Sequence, residues 1–171
     1  SYANIAIVKY WGKKDAEKMI PATSSISLTL NDMFTETEME FIKDEDIKIA
    51  VEKEMKNGNC KDKFSNMTDL FYLNGELQDK VHTEKISKVV DLFRENRSQK
   101  VKISTTNNMP TAAGLSSSSS GLSAVIKACN ELFGKNYAQS ELAQISKFGS
   151  GSSSRSFFGP IAAWDKDTGE I

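Results

Sequence analysis

The chain has 171 residues, 39% of them hydrophobic and 26% charged, with a net charge of −1. That is one domain-sized unit with enough apolar content for a core, which excludes wholesale disorder. A pI near 5.9 leaves no basic surface to make nucleic acid or an anionic membrane the main partner. No apolar run approaches the roughly 20 residues of a membrane span, and no signal-peptide pattern opens the chain. The two cysteines, Cys60 and Cys129, lie far apart and are expected as reduced, buried thiols of a cytoplasmic protein. The single histidine, His82, sits in the polar stretch Asp79–Glu84 and is expected on the surface. Triads, Cys-His pairs and His-rich zinc sites would all have to use it.

Ile5, Ala6, Ile7 and Val8 read as a short buried strand. Lys9, Tyr10, Trp11, Gly12 and Lys13 bring cations and aromatics to its end. Taken alone, this is a solvated lysine pair. Gly12 also permits a tight turn that aims Lys9 and Lys13 at a common point, an arrangement suited to a polyanion. Ser25 to Leu30 alternates as a half-buried strand, Asn31-Asp32 reads as a turn, and Phe34 to Phe41 as a second strand of an antiparallel hairpin.

Residues 43–66 are dense in charge and read as a solvated excursion, with Ile47, Ile49 and Val51 alternating as a strand. Leu70–Leu73 is a strand closed by the turn Asn74-Gly75. Thr83 is the expected N-cap of a helix from Glu84 to Arg94, with Ile86, Val89, Val90 and Phe93 facing the core and Lys85 and Lys88 off that stripe. Val101 to Thr106 is the next strand.

Pro110 to Ser120 contains no charged side chain and only Leu115 as a bulky one. A loop of small residues between a strand and a helix lets backbone N–H groups and the helix dipole meet an anion. The plain alternative is a flexible linker. Ala112, Ala113 and Leu115 argue for a packed loop instead. The loop fits neither G-x-x-x-x-G-K-[ST] nor G-x-G-x-x-G.

From about Gly121 a helix presents Leu122, Val125, Ile126, Cys129, Leu132 and Phe133 on one face, and Gly134 stops it. Ser140 is expected to cap a helix from Glu141 to Phe148, with Leu142, Ile145 and Phe148 inward. A second small-residue loop follows, Gly149 to Ser156, with Arg155 inside it. A guanidinium among hydroxyls offers a bidentate fork for phosphate or carboxylate, against the plain reading of a surface arginine. Ile161 to Trp164 is a last strand and Asp165 to Gly169 a turn.

Asn4–Lys13, Ser24–Leu30, Asn108–Ser118 and Gly149–Ser156 together resemble the diphosphomevalonate decarboxylase family of the GHMP kinase superfamily. The resemblance spans nearly the whole chain. It implies an α+β fold, the ribosomal protein S5 domain 2-like N-terminal domain of that superfamily. It implies that residues 1–171 are an ATP- and substrate-binding domain whose C-terminal partner domain lies outside this chain, so that this piece is inactive alone. The implied reaction is ATP-dependent decarboxylation of mevalonate 5-diphosphate to isopentenyl diphosphate in the cytoplasm, with Mg²⁺, by a homodimeric full-length enzyme. By resemblance, Lys9, Ser117 and Arg155 are catalytic. Tyr10, Trp11, Gly12, Lys13, Lys85, Ser150, Gly151, Ser152, Ser153, Ser154 and Arg155 bind the substrate, with Lys13 on its diphosphate and Arg155 on its carboxylate. Pro110, Ala112, Ala113, Gly114, Leu115, Ser116, Ser117 and Ser118 cradle ATP, and Ser117 lies nearest Mg²⁺. The family's catalytic aspartate belongs to an Asp-x-Gly-type motif, and Asp15, Asp165 and Asp167 are not in one. Two other readings stand beside this: another GHMP small-molecule kinase, such as phosphomevalonate kinase, and a non-catalytic nucleotide-binding module.

Overall fold

The computed structural model describes residues 1–9, 12–15, 19–109 and 117–171, and leaves the side chains of Lys13 and Ser117 undescribed. The fold is α+β, in two compact units. The first comprises Ser1–Glu36, Asn107–Lys127 and Asn136–Ile171; the second comprises Thr37–Thr106 and Ala128–Lys135.

In the first unit, β1 (Tyr2–Val8) pairs antiparallel with the first part of β4 (Ser25–Phe41). β8 (Ile161–Trp164) pairs antiparallel with β4 along its other edge. β2 (Lys13–Asp15) and β3 (Ile20–Pro21) form a separate antiparallel ribbon. Helix α4 (Ser117–Leu132) begins in this unit, and α5 (Gln139–Gly149) leads into a 3₁₀ helix, Ser153–Phe157.

The hairpin expected at Asn31-Asp32 is instead one 17-residue strand, β4. Asn108 braces it there: its Oδ1 accepts from Phe34 N–H at 2.8 Å and its Nδ2 donates to Asp32 O at 2.8 Å. Ala3 pairs with Leu30 and Tyr2 with Phe34, so Asn31, Asp32 and Met33 form a bulge in β4. Helix α4 starts a turn before the expected Gly121. Helix α5 starts before Ser140, because the Glu141 carboxylate reaches back to the Ala138 N–H at 2.7 Å. Phe148, expected inward, is 66% exposed.

In the second unit the end of β4 neighbours β7 (Val101–Asn107), and β7 runs parallel to β5 (Leu70–Leu73). β5 turns at Asn74-Gly75 into β6 (Glu76–Leu77), as expected. Residues 44–56, expected to contain a strand, are helix α1 (Asp44–Lys56), followed by the short α2 (Lys61–Phe64). Asp44, Glu45 and Asp46 in the first turn and Lys53 and Lys56 in the last match the helix dipole. Ile47 and Val51, four apart, then reach Phe64, Met67 and Leu70, while Ile49 faces solvent.

Helix α3 spans Lys80–Val90, not Glu84–Arg94. Its cap is Asp79, whose carboxylate accepts from His82 N–H at 2.9 Å; Thr83 is buried inside the helix. His82 is exposed, as expected, and its ring meets Asp79. Beneath α3 lies a closed polar cluster. Asp69 accepts from Arg94 Nη1 and Nη2 at 2.9 and 3.0 Å, from Ser87 Oγ at 2.6 Å and from Val101 N–H at 3.0 Å. Cys129 is buried as expected, but Cys60 is exposed; both are free thiols. Among the described residues, no helix is long and apolar enough to cross a membrane.

Candidate functional site

Alternation along β1, β4 and β8 puts Asn4 and Ala6, Ser25, Ser27 and Thr29, and Ala162 and Trp164 on one face. The 3₁₀ helix packs against β1 and β8 on this side. A buried turn needs partners for its carbonyls, and the small polar residues of the sheet supply them. Asn4 Nδ2 donates to Ser152 O at 3.0 Å and to Ser156 Oγ at 2.7 Å. Thr29 Oγ1 donates to Phe158 O at 3.2 Å. Arg155, only 2% exposed, donates from Nη1 to Ser25 Oγ at 2.9 Å. The loop expected around Arg155 is therefore a 3₁₀ turn clamped from two strands.

The serines of this turn divide by what their protons do. Ser153 Oγ donates to Ser150 O at 2.6 Å and to Ser146 O at 3.1 Å, and Ser154 Oγ donates to Gly151 O at 2.7 Å. Both residues are buried, and their hydroxyl protons hold the turn together. Ser150 and Ser152 are half-buried, with their Oγ atoms 3.0 Å apart. Only one proton is used in that pair, so the other is open to solvent or a ligand. Gly149, at the entrance, cannot carry a side chain without adjustment: an added Cβ would lie 2.7 Å from Leu122 Cδ2.

Lys9 follows β1 and is exposed. Val8 pairs with Ile26, so the backbone at Lys9 leaves the sheet level with Ser25, the acceptor of Arg155. Gly12 has φ +67, the left-handed turn that glycine was expected to supply, and its carbonyl accepts from Ala22 N–H at 3.2 Å. Lys13 stands in β2 opposite Pro21. Lys85 is exposed on α3, in the second unit. Ser117 opens α4 and Ser118 is exposed on its first turn, so a helix N-terminus does follow the 110–116 segment. Tyr10 and Trp11, and Pro110, Ala112, Ala113, Gly114, Leu115 and Ser116, lie outside the described residues.

Behind the turn, Lys147 Nζ donates to Gly169 O at 2.6 Å, and Trp164 Nε1 donates to the same carbonyl at 3.2 Å. Burial lowers the Lys147 pKa. Asp165 is a turn residue: the N–H groups of Thr168 and Asp167 hold its carboxyl below the usual range. No group of three His, Cys, Asp or Glu side chains that would hold a metal occurs among the described residues. The donor set at the start of α4 is hydroxyl only, which fits a magnesium carried in on nucleotide phosphates and keeping most of its own waters.

Four residues of this arrangement had no role in the sequence reading: Asn4, Ser25, Thr29 and Ser156. Their signal was available. An amide opening an apolar strand, and serines alternating along a buried one, mark positions where a strand face must satisfy someone else's backbone.

The profile of the diphosphomevalonate decarboxylase-like N-terminal domain matches residues 1–70 and 59–170 in two overlapping stretches. The chain belongs to this family. It is 55% identical to mevalonate pyrophosphate decarboxylase from Streptococcus pyogenes, with a TM-score of 0.80 over 100% of this chain and 48% of that one. It is 38% identical to MDDEF in complex with MVAPP, AMPPCP and magnesium, with a TM-score of 0.73 over 96% of this chain and 45% of that one. Diphosphomevalonate decarboxylase of Schizosaccharomyces pombe is 34% identical over 95% of this chain and 40% of its own length. The chain thus spans about 40% of such curated relatives.

Proposed function

We propose that the full-length protein is an ATP-dependent diphosphomevalonate decarboxylase, and that this decarboxylase-like N-terminal domain supplies its substrate pocket and ATP loop. The observation that carries the reading is Arg155, buried in a serine turn and held by Ser25. A guanidinium held by Ser25, in the same turn as the Ser150–Ser152 hydroxyl pair, is suited to bind an anion.

The reaction moves the γ-phosphoryl group of ATP onto the tertiary hydroxyl of mevalonate 5-diphosphate, releasing ADP. The new phosphate then leaves with the C–O bonding pair. The C–C bond to the carboxylate breaks, its electrons form the alkene, and CO₂ departs. Isopentenyl diphosphate remains. Arg155 orients the carboxylate through charge-assisted hydrogen bonds. Ser150, Gly151 and Ser152 border the substrate, and Ser153 and Ser154 act by keeping the turn in shape. Lys9 offsets charge near the reacting groups. Tyr10, Trp11, Gly12 and Lys13 line the pocket, with Lys13 on the diphosphate. Pro110 and Ala112 to Ser118 hold the ATP phosphates at the N-terminus of α4. Ser117 would stand nearest a magnesium ion brought in with ATP, which would offset charge on the transferred phosphoryl group.

The hydroxyl's proton acceptor is assigned to polypeptide beyond Ile171, since Asp165 is taken up by its own turn. Residues 1–171 are on this reading one domain of two and inactive alone. Two free cysteines suit the reducing cytoplasm. The full-length enzyme is read as a homodimer, checked by light scattering.

A substrate panel tests the assignment. ADP release by the full-length protein is expected with mevalonate 5-diphosphate and ATP, and not with mevalonate 5-phosphate. The reverse preference would make it a phosphomevalonate kinase. ATP-induced thermal stabilisation without turnover of either would leave a nucleotide-binding module.

A further inference from the structure

The sheet of the first unit carries polar side chains among its buried ones and an apolar patch on its open face. The face toward the 3₁₀ helix carries Asn4, Ser25 and Ser27, all nearly inaccessible. The opposite face carries two rows that cross all three strands: Ile5, Leu28 and Ile161 in one, Val8, Ile26 and Ala163 in the other. Ile5 is 44% exposed, Leu28 36% and Ile161 62%. Neither row contains a charge or a hydrogen-bonding side chain. An antiparallel sheet with one wetted face normally shows the opposite alternation. A contiguous aliphatic patch of this kind marks a surface that is covered in the working protein.

We propose that the cover is the polypeptide that follows β8 in the full-length protein, laid as an apolar layer over Ile5, Val8, Ile26, Leu28 and Ile161. The relatives supply the material. This chain is matched over its whole length, yet it spans only 48% of the Streptococcus pyogenes protein. The chemistry excludes charged partners, because the patch offers nothing to pair with them. The inference rests on family membership and relative length, and not on the decarboxylase activity.

The test uses the full-length protein with Leu28→Cys and, separately, Ile161→Cys. Each variant is treated with iodoacetamide, and labelling is followed by peptide mapping in native buffer and in denaturant. Thermal melts confirm folding, and Ile26→Cys replaces either variant that melts early. The expected result is native labelling slower than denatured labelling by about 100-fold or more, since reaction must await opening of the covered face. Native labelling as fast as denatured labelling would overturn the proposal. So would protection that disappears on dilution, which would give the patch to a second copy of the chain. An inactive protein that still protects these positions would sink the functional reading and leave this one standing.

Discussion

Arg155 Nη1 lies 2.9 Å from Ser25 Oγ, and both residues are buried. One belongs to the turn after α5 and the other to the first position of β4, so the guanidinium is fixed by an element distant in sequence. Ser25→Ala removes that acceptor and leaves the charge less constrained. A hydrogen bond to a charged group contributes roughly 1.5–3 kcal/mol, so kcat/KM of the full-length enzyme should fall about 10- to 100-fold. Steady-state kinetics with mevalonate 5-diphosphate check it; unchanged kcat/KM would mean that Ser25 does not position Arg155.

The Asp69–Arg94 pair is a stability element of the second unit. Every polar atom named around it is satisfied, with Ser87 and the Val101 N–H completing the carboxylate's partners. Asp69→Leu alone leaves the buried Arg94 guanidinium to Asp91 and the Gln99 carbonyl, and takes the acceptor from Ser87 Oγ and the Val101 N–H, so it should cost about 2–5 kcal/mol. Asp69→Leu with Arg94→Met removes both buried charges and should recover part of the loss, since Ser87 Oγ and the Val101 N–H still lack their acceptor. Urea denaturation of the two variants gives the comparison.

Burial pushes the Cys129 thiol up from 9.0 to about 12. The unfolded chain therefore ionises at this position before the folded one does. The stability tied to the neutral thiol is complete below pH 9.0 and is lost as pH rises toward about 12. Cys129→Ala should flatten that part of the stability profile. Peptide-mapped alkylation at pH 8 should label Cys60, which is exposed, and spare Cys129 until denaturant is added.

Gly149 sits at the mouth of the serine turn with Leu122 against it. Gly149→Ala forces the two helices' side chains to adjust, at a cost of about 1–3 kcal/mol. Leu122→Ala makes room for that methyl group, so the double variant should lose less than the two single losses together. Thermal melts of the three variants measure the coupling; strict additivity would contradict the close approach.

Much of this architecture is written locally. Asn74 and Gly75 both adopt positive φ, 51 and 85, which is why an Asn-Gly pair announces the β5–β6 hairpin so clearly. The apolar stripe of α4 and the strand Ile161–Trp164 are equally local. What escaped was decided at a distance. Asn31-Asp32 has turn chemistry, but Asn108 ties the strand through it. Ile47, Ile49 and Val51 alternate like a strand, but the acidic first turn and the Phe64–Met67–Leu70 cluster favour a helix that leaves Ile49 outside. Thr83 and Ser140 look like caps, yet Asp79 and Glu141 reach the free N–H groups first. In the candidate site, the serines and Arg155 stood out by type. That Ser153 and Ser154 spend their protons on the turn follows only from where the chain folds back on itself.

The central claim is the coupling of phosphoryl transfer to carbon–carbon cleavage. It is tested most directly by measuring ADP and CO₂ together when the full-length protein is given ATP and carboxyl-labelled mevalonate 5-diphosphate. The account predicts ADP and labelled CO₂ in equal amounts, with both lost together in Arg155→Gln. ADP without CO₂, or no ADP at all, would contradict it.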